Sequence, residues 1–133
     1  MGCCGHDFIS KEKTKEAIDK NTEEFALIPE KDERSLLTFR DRAYTSDLRD
    51  GVCRNLIKKD GCFLCPLHPA LNKKDLRIGH CDVNFLCDTA KKFADWDEKK
   101  QQRFTFFIES RKLDNISYSM QMSSGSLLAE FTR

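Results

Sequence analysis

The sequence has none of the long apolar runs that membranes demand. No stretch approaches the roughly 18 consecutive apolar residues of a spanning helix, so no transmembrane segment is expected. Near the N-terminus Lys11, Glu12 and Lys13 follow soon after Ile9. That leaves no apolar core of the ~7–15 residues a secretory signal contains, and a cytoplasmic location is the expectation. Charge of one sign is also lacking. The 23 Lys and Arg nearly cancel the 22 Asp and Glu, leaving a formal net charge of +1. The whole-chain field therefore gives no indication of nucleic acid or acidic lipid as a partner.

Several catalytic signatures are missing too. The chain contains no HExxH, no His-x-Glu deaminase motif and no glycine-rich phosphate loop. Covalent haem attachment needs C-x-x-C-H, but Pro66 stands where that histidine belongs. Pro66 and Pro69 also oppose the long helix that follows a thioredoxin-like dithiol. No internal repeat or long low-complexity segment occurs. With 133 residues the chain is the size of one domain.

What the sequence does have is seven cysteines. An odd number cannot pair fully into disulfides within one chain. In a reducing compartment, clustered cysteines are more often metal ligands or redox groups than structural bridges. They fall in two places. Residues 1–9 form a Cys-containing N-terminal segment that includes Cys3-Cys4-Gly5-His6. The second cluster spans residues 53–87 and reads Cys53-x8-Cys62-x2-Cys65-x2-His68, then His80-Cys81-x5-Cys87.

Cys62-Phe63-Leu64-Cys65 is a C-x2-C knuckle, flanked by Gly61 and Pro66. Two thiolates at that spacing can point at one ion. Thiolate and imidazole donors select zinc or iron over calcium or magnesium, which prefer oxygen. The candidate metal ligands are thus Cys53, Cys62, Cys65, Cys81 and Cys87, with Cys62 and Cys65 foremost. His68, Cys3 and Cys4 are further candidates. Against this stands the reading of each cysteine as a small buried hydrophobe. His68 is equally readable as a hydrogen-bonded loop residue, and His80, adjacent to Cys81, as a surface residue or one supporting the site. The N-terminal cysteines are alternatively part of a disordered end, or lipidated after Met1-Gly2, although His6 occupies the position where myristoylation wants Ser or Thr.

The periodicity predicts a mainly α fold. A helix is expected over residues 10–28, capped by Ser10 and ended by Pro29, and a second from Ser35 to about Leu48. An irregular Cys/His-rich segment follows. A short helix is expected over 88–94 and a longer one from about Lys99 to Leu113, although Phe104–Ile108 also has strand propensity. Leu37, Tyr44, Phe104 and Phe107 are expected on buried helix faces. The alternation Ile116, Tyr118, Met120, Met122 suggests one short C-terminal strand.

These residues resemble the small bacterial cysteine-cluster proteins described as zinc- or iron-chelating. Cys3-Cys4-Gly5 would stand for that family's first cluster; Cys53, Gly61-Cys62, His68-Pro69, Cys81 and Cys87 would stand for its second. The family's first cluster holds more cysteines, and Cys65 is an addition to its pattern. The resemblance covers positions 3 to 87 and implies metal chelation.

The expected function is a metal-binding protein with a structural or chelating Cys/His site, zinc being the favoured ion. An iron–sulfur protein in electron transfer or sensing is the alternative. A metalloenzyme drawing on Asp60, His80 or Asp82 is less favoured, as is a zinc-stapled adaptor that touches a protein or nucleic acid through Lys58-Lys59 and Lys73-Lys74.

Overall fold

A computed structural model describes residues 4–44 and 47–133. Helix α1, Lys11–Ala26, starts at the expected cap: the Ser10 hydroxyl accepts from the Lys13 N–H at 3.1 Å, satisfying one of the donors a helix start leaves open. Its inward face carries Thr14, Ala17, Ile18 and Asn21. Helix α2, Glu33–Asp41, is capped in the same way by Asp32, which accepts from the Ser35 N–H at 2.8 Å.

The second helix is shorter than the periodicity predicts. It stops at Asp41, and Tyr44, expected on its buried face, is 86% exposed. Arg42 caps this end. Its guanidinium lies 3.8 Å from the centroid of the Phe39 ring and donates to the Phe39 carbonyl at 3.0 Å. A cation over the final carbonyls caps a helix rather than extending it.

The segment expected to be irregular contains two hairpins. Strand β1, Leu48–Arg49, pairs antiparallel with β2, Val52–Cys53; β3, Ile57–Lys59, pairs with β4, Cys62–Leu64. Each turn is a two-residue Asp-Gly with both φ positive: Asp50 at 52° and Gly51 at 88°, Asp60 at 52° and Gly61 at 78°. That is the loop whose twist matches the paired strands. Asp50-Gly51 and Asp60-Gly61 therefore act as hairpin turns, and the segment expected to be irregular is paired on either side of them. Strands of two or three residues are too short to reveal an alternation.

The C-terminal half is helical. Helix α3 is Asp88–Asp95, α4 is Glu98–Arg111, α5 is Asn115–Ser124 and α6 is Ser126–Phe131. Phe104–Ile108 is helical. So is 116–122, which corrects the expected strand. Asp114 caps α5 by accepting from the Ser117 N–H at 2.9 Å, and Gly125 ends it at φ 80°. The misleading alternation has a simple cause. Ile116 and Met120 pack on one core while Tyr118 and Met122 pack on another. Each is an i,i+4 pair, and two such pairs on opposite faces of one helix read as period two.

Among the described residues, buried side chains gather into three groups. One holds Ala17, Ile18, Val52 and Ile116; one holds Leu36, Leu67 and Leu76; the third holds Cys87, Phe104, Met122 and Leu127 with a surround of aromatic rings. Helix α5 joins the first to the third. No helix among the described residues is long and apolar enough to cross a membrane.

Candidate functional site

The two cysteine clusters meet through backbone pairing. Gly5 bridges antiparallel to Val52; the His6 N–H donates to the Gly51 carbonyl and the Cys53 N–H to the Cys4 carbonyl, both at 2.9 Å. The N-terminal segment thereby adds to the open edge of β2. With Gly5 opposite Val52, the register puts Cys4 opposite Cys53. Side chains alternate across an extended ribbon, so Cys4, His6 and Cys53 share one face. Val52 takes the other face and is fully buried against α1 and α5.

This approach depends on glycine. A Cβ at residue 5, where φ is 151°, would run into the Gly51 carbonyl oxygen and lie 2.9 Å from the Phe8 ring. A Cβ at residue 51 would stand 2.7 Å from both the His6 carbonyl oxygen and Phe8 Cα. The Cys-Gly-His order near the N-terminus thus has a geometric role that composition does not reveal.

Facing this ribbon is the loop that carries His80, Cys81 and Asp82. Its backbone is wound by the His80 and Cys81 N–H groups, which donate to the Arg77 carbonyl at 3.0 and 2.9 Å. Arg77 is in turn gripped by Asp75, whose pKa the guanidinium draws down to about 2. Between ribbon and loop lies a cavity of about 110 Å³, lined by His6, Cys53, His80, Cys81 and Asp82 among others. The Phe85 ring stacks on His6 with centroids 4.6 Å apart. His6 Nδ1 lies 2.8 Å from Asp7 Oδ2. A carboxylate on one ring nitrogen is the arrangement that orients a ligating histidine.

His80 is buried, with Nδ1 3.7 Å from Asp41. Burial lowers its pKa and the Arg40 charge adds to that, against the opposing pull of Asp41. The imidazole is therefore neutral near pH 7, the form able to accept a hydrogen bond or bind an ion.

The turn after Cys53 is held from behind. The Leu56 N–H closes it by donating to the Cys53 carbonyl at 3.1 Å. Arg42 donates to Asn55 Oδ1 at 3.0 Å and to the Arg54 carbonyl. Glu24 pins both Arg42 and Arg49, at 2.6 and 2.9 Å. Burial alone would raise the Glu24 pKa, but the two arginines overcome it and the net shift is downward.

The other predicted ligands lie elsewhere. Cys62 is exposed, directly after the second hairpin turn, and Cys65 packs beside Leu36, Leu67 and Leu76. Cys87 is 5% exposed and packs within the aromatic core. His68 is exposed and its Nδ1 accepts from the Ala70 N–H at 3.0 Å, an ordinary loop bond. Cys3 lies outside the described residues. Among the described residues, no three Cys, His, Asp or Glu side chains stand close enough together to hold an ion as they are placed. The sequence reading treated His6 only as part of the N-terminal cluster and set His80 aside; the i,i+2 spacing of Cys4 and His6 was the available clue to a shared face. The chain matches no known family, no curated protein and no solved structure.

Proposed function

We propose that this is a metal-binding protein whose site joins the two cysteine clusters, with zinc as the ion and Cys4, His6, Cys53 and Cys81 as its ligands. The observation that carries this is the register of the ribbon, which puts Cys4 opposite Cys53 on the face that His6 shares. Directly opposed residues in such a pair have Cβ atoms about 4.5–5.5 Å apart. Two thiolates bound to one zinc sit roughly 3.8 Å apart, from two ~2.3 Å bonds at a tetrahedral angle. A disulfide needs Cβ atoms about 3.8 Å apart. The opposed pair thus leaves room for two thiolates to share one ion.

His6 comes from the same segment as Cys4, and Cys81 from the loop that faces the ribbon. His6 and Cys81 line the same cavity as Cys53, and the set would close only as metal arrives, as metal sites coupled to folding do. Zinc bound there would tie the N-terminal segment, β2 and the 80–82 loop into one unit. That role is structural or chelating, and it agrees with the resemblance to zinc- or iron-chelating cysteine-cluster proteins.

The test is elemental analysis and absorption of protein purified without oxygen, comparing two double variants. Cys4→Ser with Cys53→Ser should abolish stoichiometric zinc, because serine is a poor zinc ligand at neutral pH, while Cys62→Ser with Cys65→Ser should retain it. Retention by the first pair and loss by the second would move the site to the knuckle. Strong visible absorption with bound iron would replace zinc by an iron–sulfur cluster.

A further inference from the structure

We propose that Asn21 is the positioning residue of this site, fixing the Cys53 thiol from the helix behind it; this rests on Cys53 being a ligand. Asn21 lies within α1 and is fully buried. Asparagine is a weak helix former, and an amide inside a core is unfavourable unless its groups are bonded. Its Nδ2 donates to two carbonyls of a different part of the chain, Cys53 at 2.9 Å and Leu56 at 3.0 Å. Its Oδ1 is buried with no hydrogen-bond partner among the described residues. The reverse orientation would set that oxygen against two carbonyl oxygens. An apolar side chain would avoid the stranded oxygen, so what the amide contributes is its grip on the turn.

The grip bears on the thiol through the backbone. The peptide plane before Cys53 is fixed by its N–H bond to the Cys4 carbonyl. The plane after it is fixed by the carbonyl, which accepts from both Asn21 and the Leu56 N–H. With both planes tethered, φ and ψ of Cys53 are set and the direction of its Cα–Cβ bond with them. Only one side-chain rotation then separates Sγ from its place opposite Cys4. Groups that orient a ligand in this way typically change metal affinity about 10–100-fold when removed.

The experiment is titration with cobalt(II), whose thiolate charge-transfer and ligand-field bands report the ligand set. Asn21→Leu removes the donors and the stranded oxygen while keeping the branched shape in a bulkier side chain, and Asn21→Ala provides a second variant should the leucine disturb α1. Thr14→Val is the control, since Thr14 is buried on the same helix but its hydroxyl bonds locally, to the Ser10 carbonyl at 2.7 Å. Asn21 variants should bind cobalt about 10–100-fold more weakly with altered bands, at unchanged helical circular dichroism, while Thr14→Val matches the parent. Parent-like affinity and spectrum in folded Asn21 variants would overturn the proposal and leave the metal site standing. If the parent itself takes up no cobalt, the metal reading falls. Positioning is then judged by the alkylation rate of Cys53 with a maleimide, which Asn21→Leu should raise; an unchanged rate would overturn it.

Discussion

The carbonyl oxygen of Gly51 occupies the space that a Cβ on Gly5 would need. This one contact couples the N-terminal segment to the first hairpin, and through it Cys4 to Cys53. Gly5→Ala should therefore displace the segment, costing about 2 kcal/mol or more and weakening metal binding in a cobalt titration. Gly61 offers the contrast. It also has a positive φ, 78°, but a Cβ there meets nothing within 4 Å. Gly61→Ala should cost only the left-handed backbone strain, about 1–2 kcal/mol, and leave metal binding as it was. Urea melts of the two variants beside the titrations check both.

Acid should weaken the junction of α1 and α5. The Lys11 ammonium, 2.6 Å away, and the Ser117 N–H hold the Asp114 pKa far below the usual carboxylate range. As pH falls through the unfolded value of about 3.9, the unfolded chain takes up the proton first. The stabilisation is thus present in full above about pH 5 and is lost as pH drops toward the folded pKa. Asp114→Asn keeps a capping oxygen but removes the charge. It should melt at lower temperature than the parent at pH 7, and the gap should narrow steadily as pH falls from about 5 toward 2. A gap independent of pH would assign the effect to capping alone.

Phe104 is the hub of the C-terminal core. It is 1% exposed, and Phe93, Trp96, Phe107 and Phe131 all lie with ring centroids 5.1–6.3 Å from its own. Phe104→Ala should cost about 3–5 kcal/mol and change the emission of Trp96, the single tryptophan. Fluorescence-monitored denaturation reads both at once. Cobalt affinity should change little under native conditions, because Phe104 belongs to a different core from the ribbon.

Local chemistry made much of this fold legible. Ser10 precedes α1 with a side-chain acceptor in place, and Pro29 stands just beyond the end of that helix. Such signals involve groups within four residues of one another, so a linear reading finds them. The mainly α character follows. The reading failed where tertiary partners decide. Period two in 116–122 implied a strand because one-dimensional spacing cannot show that a helix has a core on each side. Asp50-Gly51 and Asp60-Gly61 are visible in the sequence only as breaks, because pairing across them depends on where α1 and residue 5 lie.

The sequence by itself determined that cysteines come in two clusters and that thiolate and imidazole donors of this kind suit zinc or iron. Only the tertiary structure decided which of them share a face. Cys4 and Cys53 are opposed because two glycines let one backbone pass over another and because Val52, one residue from Cys53, is buried beneath α1 and α5. Cys87, equally prominent in the spacing pattern, is drawn instead into the aromatic core beside Phe104. A thiol's chemistry is local, but its neighbours are set by how apolar groups many residues away leave water, and no spacing rule contains that information.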